Sequence, residues 1–237
     1  MSIEHRDNLN YSVDWLQHID KVSPKSVITG MKHIALLLDV ESHGKHGVCL
    51  YRPEKGTKLE LDTRVPVPSE IYRDVAYHNI DAFLGWGVSA PVIPWQLKEE
   101  DKGVLRPYWI DAEAVDVYHT CRDFFNEQYD FWIKVAVLDY ICGVVDRAPN
   151  DLLDIDTNKF VVIDSGLSFV EGLDFPYQLS IVRDAMKNAP IPDFLLNKLA
   201  HLPIEKVIKK NDGLIGESEV CWMYQRINQI ISQKVIL

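Results

Sequence analysis

The sequence predicts an α+β fold of two lobes around one cleft, β-rich up to about residue 110 and mainly helical beyond it. Three observations lead there. The chain has 237 residues, enough to bury a sizeable core, and is 47% apolar against 25% charged, the balance of an ordinary globular protein. Its first half alternates short β-rich runs with turn residues and contains one long helical pattern. Its second half is helical in spacing except for one hairpin, LLDIDTNKFVVID. We therefore read residues 1–110 as an N-terminal lobe of sheet plus one main helix, preceded by an N-terminal extension, and residues 111–237 as a helical C-terminal lobe.

Taken in order, Leu9, Val13, Leu16 and Ile19 share one face of a short helix within residues 2–19, and Pro24 closes that segment. VITGMKHIALLLDV and GVCLYRP follow as β runs, with ESHGKHG between them forming a hairpin turn around Gly44 and Gly47. The stretch from Ser69 puts Ile71, Val75, Ile80, Phe83 and Leu84 on one helical face, and Gly85 ends it. VSAPVIPWQL and GVLRPYWI are strands flanking the polar turn KEEDKG. Helices are predicted over 115–126 and 129–145, then, after the hairpin, over about 177–188, 192–201 and 217–233, separated by Pro190, Pro203 and NDGLIGE.

Charge and cysteine usage exclude several classes. A formal net charge of -10 argues against nonspecific nucleic-acid binding, which draws on Lys and Arg to neutralise phosphates. Cys49, Cys121, Cys142 and Cys221 are widely spaced with no Cys-x-x-Cys pair, so reduced thiols are expected. The first residues lack a basic-then-apolar leader, and VAVLDYICGVV is short and broken by Asp139, so a cytoplasmic protein with no membrane span is expected.

Chemistry concentrates in DRAPNDLLDIDTNKFVVIDSG, from Asp146 to Gly166. An Asp-Arg pair, a further Asp at 151 and a strand ending in Asp-x-Gly at 164–166 place carboxylates on a loop and its following hairpin. Phosphoryl transfer from ATP needs a carboxylate near the acceptor and oxygen ligands for Mg²⁺, and this layout can supply both. Each acid alone is more often solvated or capping, so the reading rests on their joint spacing.

Together with LYRPEKG, YRDVAYHNIDAFLGWGVSAPVI and VVIDSGLSF, this segment resembles the phosphatidylinositol 3-/4-kinase-like branch of the protein-kinase superfamily, which includes HipA-type kinases and type II phosphatidylinositol 4-kinases. The resemblance runs from about Val27 to Phe169 and implies a bilobal protein-kinase-like fold with ATP and Mg²⁺ as cofactors. It places Asp146, with Arg147 beside it, on the catalytic loop. Asp164 falls on the metal-binding Asp and Asp151 on the second metal ligand, normally Asn, with Asn150 as the competing ligand. Arg52 falls where the ATP-binding lysine belongs and Asp74 where its helix Glu partner belongs, with Glu70 as the competing partner. Gly30 is the glycine of a possible phosphate loop, ITGMKH, which Lys32 or His33 would supplement; ESHGKHG is the alternative. Tyr108 or Trp109 lines an adenine pocket on this reading.

Arg for Lys keeps a cation but changes its geometry, and Asp for Asn keeps an oxygen ligand while adding a charge. The implied activity is an ATP- and Mg²⁺-dependent phosphotransferase acting on a protein or soluble small molecule. A nucleotide-binding pseudokinase and an adenylylating enzyme on the same fold are the alternatives. Two further features receive plain readings: DIDTN is a hairpin turn with Lys159 where a calcium loop needs Gly, and His43 with His46 is a polar turn lacking a third metal ligand. Trp86, Trp95, Trp109 and Trp132 are read as core, and Asp139 as a buried acceptor bracing the catalytic loop or else a solvent-facing residue.

Overall fold

A computed structural model of the chain describes residues 11–29, 34–56, 69–115, 128–156, 159–170 and 180–237. Two compact units emerge, one from Met1–Leu59 with Pro91–Ile110, the other from Glu60–Ala90 with Asp111–Leu237. The fold is α+β.

In the first unit a short helix α1 (Val13–Gln17) precedes strands β1 (Ile19–Thr29), β2 (Ile34–Ser42), β3 (Lys45–Pro53), β4 (Ile93–Lys98) and β5 (Asp101–Pro107). They form an antiparallel sheet in the order β1-β2-β3-β5-β4. Alternation sets its faces: Leu38, Val40, Cys49, Tyr51 and Leu105 project to one side, where α1 lays Trp15 and Leu16 against them. Leu50, Arg52, Val104 and Arg106 occupy the other side, since Leu50 pairs with Arg106 and Arg52 with Val104.

Two details differ from the sequence reading. Pro24 does not close a helix but lies within β1, because an edge strand tolerates a missing donor and the pairing with β2 shifts register between Pro24 and Ser26. Gly47 is not a turn residue. It pairs with Val40 inside β3, and a Cβ there would come within 2.9 Å of both Trp15 and Tyr11 ring carbons, so glycine is what lets the α1 aromatics settle on the strand. The turn itself is His43-Gly44, both with positive φ.

The second unit begins with α2 (Ser69–Leu84), which groups with the C-terminal half rather than with the sheet. The cause is packing: Ala76, Tyr77, Ile80 and Leu84 belong to the same buried cluster as α3 (Tyr129–Ile141). The N-terminal lobe read as 1–110 therefore loses residues 60–90 to this unit. Helix α3 is apolar nearly all round, with Trp132 through Ile141 buried apart from Lys134, as expected of a helix at the centre of a core. Burial of each large side chain contributes about 1.5–3 kcal/mol.

Strand β6 (Glu113–Ala114) pairs with β7 (Leu152–Asp156), which pairs in turn with β8 (Lys159–Val162). Helices α4 (Ile181–Ala185), α5 (Asp193–Ala200), α6 (Ile204–Lys210) and α7 (Glu217–Gln233) complete the unit. Helix α6 was not expected from the sequence, being one short run between Pro203 and a turn. The predicted helix over 115–126 falls almost wholly outside the described residues, as does the start of that over 177–188. No helix among the described residues is long and apolar enough to cross a membrane, and the described cysteines, Cys49, Cys142 and Cys221, are free.

Replacing Gly47 by Val should lower the free energy of unfolding by about 2 kcal/mol through overpacking against Trp15 and Tyr11. Gly44→Asn, at an open positive-φ turn position, should stay within about 0.5 kcal/mol of wild type. Chemical denaturation of both variants measures the contrast.

Candidate functional site

Helix α3 stops in a Schellman turn. Gly143 takes φ +58, its N–H reaches Tyr140 O at 3.1 Å, and Val144 N–H reaches Asp139 O at 2.9 Å. A Cβ at Gly143 would also meet the Arg226 guanidinium at 2.9 Å. This early stop, four residues before the predicted end, releases the chain into the loop that carries Asp146, Arg147 and Asp151.

The loop is held from beneath by Asp139, which is fully buried in α3. Its carboxylate accepts from Tyr77 Oη at 2.7 Å, Ser180 Oγ at 2.5 Å, Arg147 Nη2 at 2.9 Å and Arg147 Nε at 3.2 Å. The bracing role is therefore the observed one. Arg147, itself only 2% exposed, spends its remaining donors on Ile163 O at 2.7 Å, Asp164 O at 3.3 Å and Ser165 Oγ at 2.9 Å. Burial opposes its charge, but Asp139 and Tyr77 outweigh that and hold its pKa above the ordinary arginine value. One guanidinium thus fastens the loop to the Asp-x-Gly turn.

Backbone bonds bring the acids together. Ile163 N–H donates to Asp151 O at 2.8 Å, setting Asp151 beside the residue before Asp164, and Val145 N–H donates to Leu167 O at 2.9 Å. Asp151 lies on a short 3₁₀ turn, Pro149–Asp151, with its Oδ2 accepting the Ala148 N–H at 2.8 Å. Asp146 and Asp164 are exposed and both adopt left-handed backbone, φ +68 and +53. A non-glycine residue there is uncommon and costs energy, and such outliers gather at functional sites.

The acids also feel one another. Burial, then the nearby charge of Asp164 and more weakly that of Asp146, push the Asp151 carboxyl up to about 7, against the opposing pull of Arg147 and the Ala148 N–H. Carboxylate oxygens are the donor class that Mg²⁺ takes, and mutual repulsion of this kind is what a divalent cation relieves. Asp151 and Asp164 are therefore residues that could hold such an ion.

Helix α2 supports the same turn. Asp74, 6% exposed, accepts the Ser165 N–H, a task beyond the one the resemblance gave it. A Cβ on Gly166 would lie 2.9 Å from Glu70 Cγ and 3.0 Å from Glu70 O, so the third position of Asp-x-Gly must be glycine for the turn to approach α2. Arg73 reaches Ser168 O and the Glu219 carboxylate, fixing the segment that follows.

No protein-family model matches the chain, and no curated protein matches it significantly in sequence. Among solved structures the fold is similar to that of a Helicobacter pylori proinflammatory kinase, CtkA, with a TM-score of 0.52 at 11% identity, covering 91% of this chain and 93% of that one. The fold is kinase-like.

In the sheet unit, Arg52 is buried on β3. Arg106 shares its face on β5, a second cation that the motif wording did not single out and that the pairing of Leu50 with Arg106 reveals. Tyr108 and Trp109 are half-buried; Trp109 meets Tyr11 edge-on at 5.7 Å and Tyr11 meets Trp15 at 4.9 Å, so Trp109 joins an aromatic cluster. Trp86 and Trp132 are core residues as read. Gly30, with Lys32 and His33, lies outside the described residues, as does the Asn150 side chain. The supporting residues Tyr77, Ser165 and Ser180 escaped sequence reading. Only the polar tip of Tyr77 on an otherwise apolar face of α2 hinted at a partner.

Because Asp151 keeps its proton to about pH 7 when folded but releases it near 3.8 when unfolded, the folded state holds the extra proton between those values. Stability should therefore fall as pH rises through that window. Asp151→Asn should be more stable than wild type by about 1–3 kcal/mol at pH 8, with no advantage at pH 4; denaturation at the two pH values checks this. Asp139→Ala, which strands the Arg147 charge, should cost about 3–5 kcal/mol.

Proposed function

We propose that the chain is an ATP- and Mg²⁺-dependent phosphotransferase of the phosphatidylinositol 3-/4-kinase-like branch, acting on a hydroxyl of a protein or soluble small molecule. The observation that carries this reading is that Asp164 and Asp146 both act on the Asp151 carboxyl, on a loop and turn that Arg147 fastens together, with two of the three in left-handed backbone. The kinase-like fold supports it, and the branch rests on the motif wording of residues 27–169.

When bound, Mg²⁺ supplies charge neutralisation at the ATP phosphates. Asp151 and Asp164 would hold it, and Asp151 would give up its proton on doing so. Asp146, exposed at the loop tip, orients the acceptor hydroxyl and takes its proton as the oxygen attacks the γ-phosphorus. The bond from that phosphorus to the bridging oxygen breaks, and its electron pair leaves with ADP. Arg147 touches none of the reacting atoms; it positions the loop against the Asp164 turn. Arg52 binds phosphate on the strength of the motif, and Arg106 adds charge to the same sheet face. A negatively charged acceptor surface such as an anionic membrane is disfavoured by the net charge of -10.

Incubating the purified protein with ATP labelled at the γ-phosphate and Mg²⁺ should label an acceptor or the protein itself. Label transferred only from the α-phosphate would mean adenylyl transfer; Mg²⁺-dependent ATP binding with no transfer would mean a pseudokinase, the reading that Arg52 in place of lysine favours. Asp146→Ala and Asp164→Ala should each lower turnover about a hundredfold or more, while only Asp164→Ala strongly weakens Mg²⁺·ATP binding. Unchanged turnover in Asp164→Ala would sink the proposal.

A further inference from the structure

Outside this acidic site the sheet unit brings together another set of metal-ligating side chains. Asp14 on α1, His18 at the C-cap of α1 and His43 at the tip of the β2–β3 turn place one ligand atom each within 4.8 Å of the others. His18 Nδ1 lies 3.3 Å from Asp14 Oδ1, and His43 Nε2 lies 3.6 Å from Asp14 Oδ2. The two imidazole centroids are 5.0 Å apart. We infer that these residues form a binding site for a Zn²⁺-class divalent transition-metal ion, with a water or small anion completing the coordination.

The spacing fits the ion. Zn–N and Zn–O bonds of about 2.0–2.1 Å in a tetrahedron set donor atoms about 3.3–3.4 Å apart, so the exposed side chains would rotate to bring both imidazoles, now 3.3 and 3.6 Å from opposite Asp14 oxygens, onto one ion. Two imidazoles and one carboxylate are a donor set suited to zinc, whereas Mg²⁺ prefers oxygen alone. His18 Nδ1 now lies 2.8 Å from Asp14 O. Ligation through that atom requires the tautomer protonated on Nε2, with the metal replacing the carbonyl contact.

The scaffold beneath is firm although the ligands are exposed. Ser42, fully buried at the end of β2, has its hydroxyl 2.7 Å from Trp15 O and 2.8 Å from His18 O, and its one proton, shared between these carbonyls, ties the end of α1 to the turn. Asp20 Oδ2 accepts the His43 N–H at 3.2 Å. The turn has φ +51 at His43 and +70 at Gly44, a pairing that favours Asn or Asp ahead of Gly. Histidine there forgoes the best turn residue and projects an imidazole toward Asp14. His46, the partner that sequence spacing suggested, is instead a strand residue paired with Glu41. The ion would clip α1 to the hairpin, a structural role independent of phosphotransfer.

The test is a Zn²⁺ titration of the full chain against a chromophoric chelator, with imidazole resonances followed by NMR. Wild type should bind one equivalent more than the His18→Ala/His43→Ala double variant, and His18 and His43 signals should shift together and saturate at that equivalent. Single variants at either position should bind at least about tenfold more weakly, and His46→Ala should bind as wild type does. Because the acidic site could also take zinc, the decisive quantity is the difference between wild type and the double variant. Equal stoichiometry in the two, or a His43 shift without His18, would overturn the proposal.

Discussion

The candidate site depends on one buried ion pair, Asp139 with Arg147. Taking two charges out of water costs several kcal/mol each, and their attraction at 2.9 Å roughly restores it, so the pair adds little to stability over an apolar pair of similar size. What it gives is position. Asp139 is carried by α3, the most deeply packed helix of the unit, and its four donors come from α2, the loop and the start of α4. Arg147 passes that rigidity to both sides of the acidic cluster, because a planar guanidinium can serve Asp139 on one edge and Ile163, Asp164 and Ser165 on others. A lysine could supply the charge but not this fork.

That anchoring lets the loop hold conformations it would otherwise relax. Left-handed backbone costs a residue with a Cβ about 1–2 kcal/mol, somewhat less for Asp, and both Asp146 and Asp164 accept it. Glycine would remove the cost at either position. The surrounding bonds leave no alternative: Ile163 to Asp151, Ser165 to Asp74, Ile181 to the Arg147 carbonyl. On the reading proposed above, this backbone places both carboxylates for phosphoryl transfer.

The parts of this arrangement legible in the sequence were those written in local spacing. The α+β division, the hairpin of β7 and β8, the helix ending at Gly85 and the cluster of Asp146, Asp151 and Asp164 follow from periodicity and adjacency. Tertiary effects were not legible. Gly47 reads as a turn residue until Trp15 and Tyr11 are seen against it, and Pro24 reads as a helix stop until β1 is known to be an edge. Helix α2 groups with the C-terminal half, which the sequence could not show, because its apolar face says that it packs but not on what. The same blindness hid Ser180 and Arg106, since nothing local marks a serine that donates to a residue 41 positions away or an arginine opposite Leu50.

A bound cation would change the folding energetics of the Asp151 carboxyl. An asparagine there would accept the Ala148 N–H equally well and would carry no charge. Aspartate adds a buried carboxylate beside two others, and the penalty is visible in a carboxyl pushed up to about 7. On the proposed reading, a bound cation would make the Asp151 charge favourable where the bare fold disfavours it.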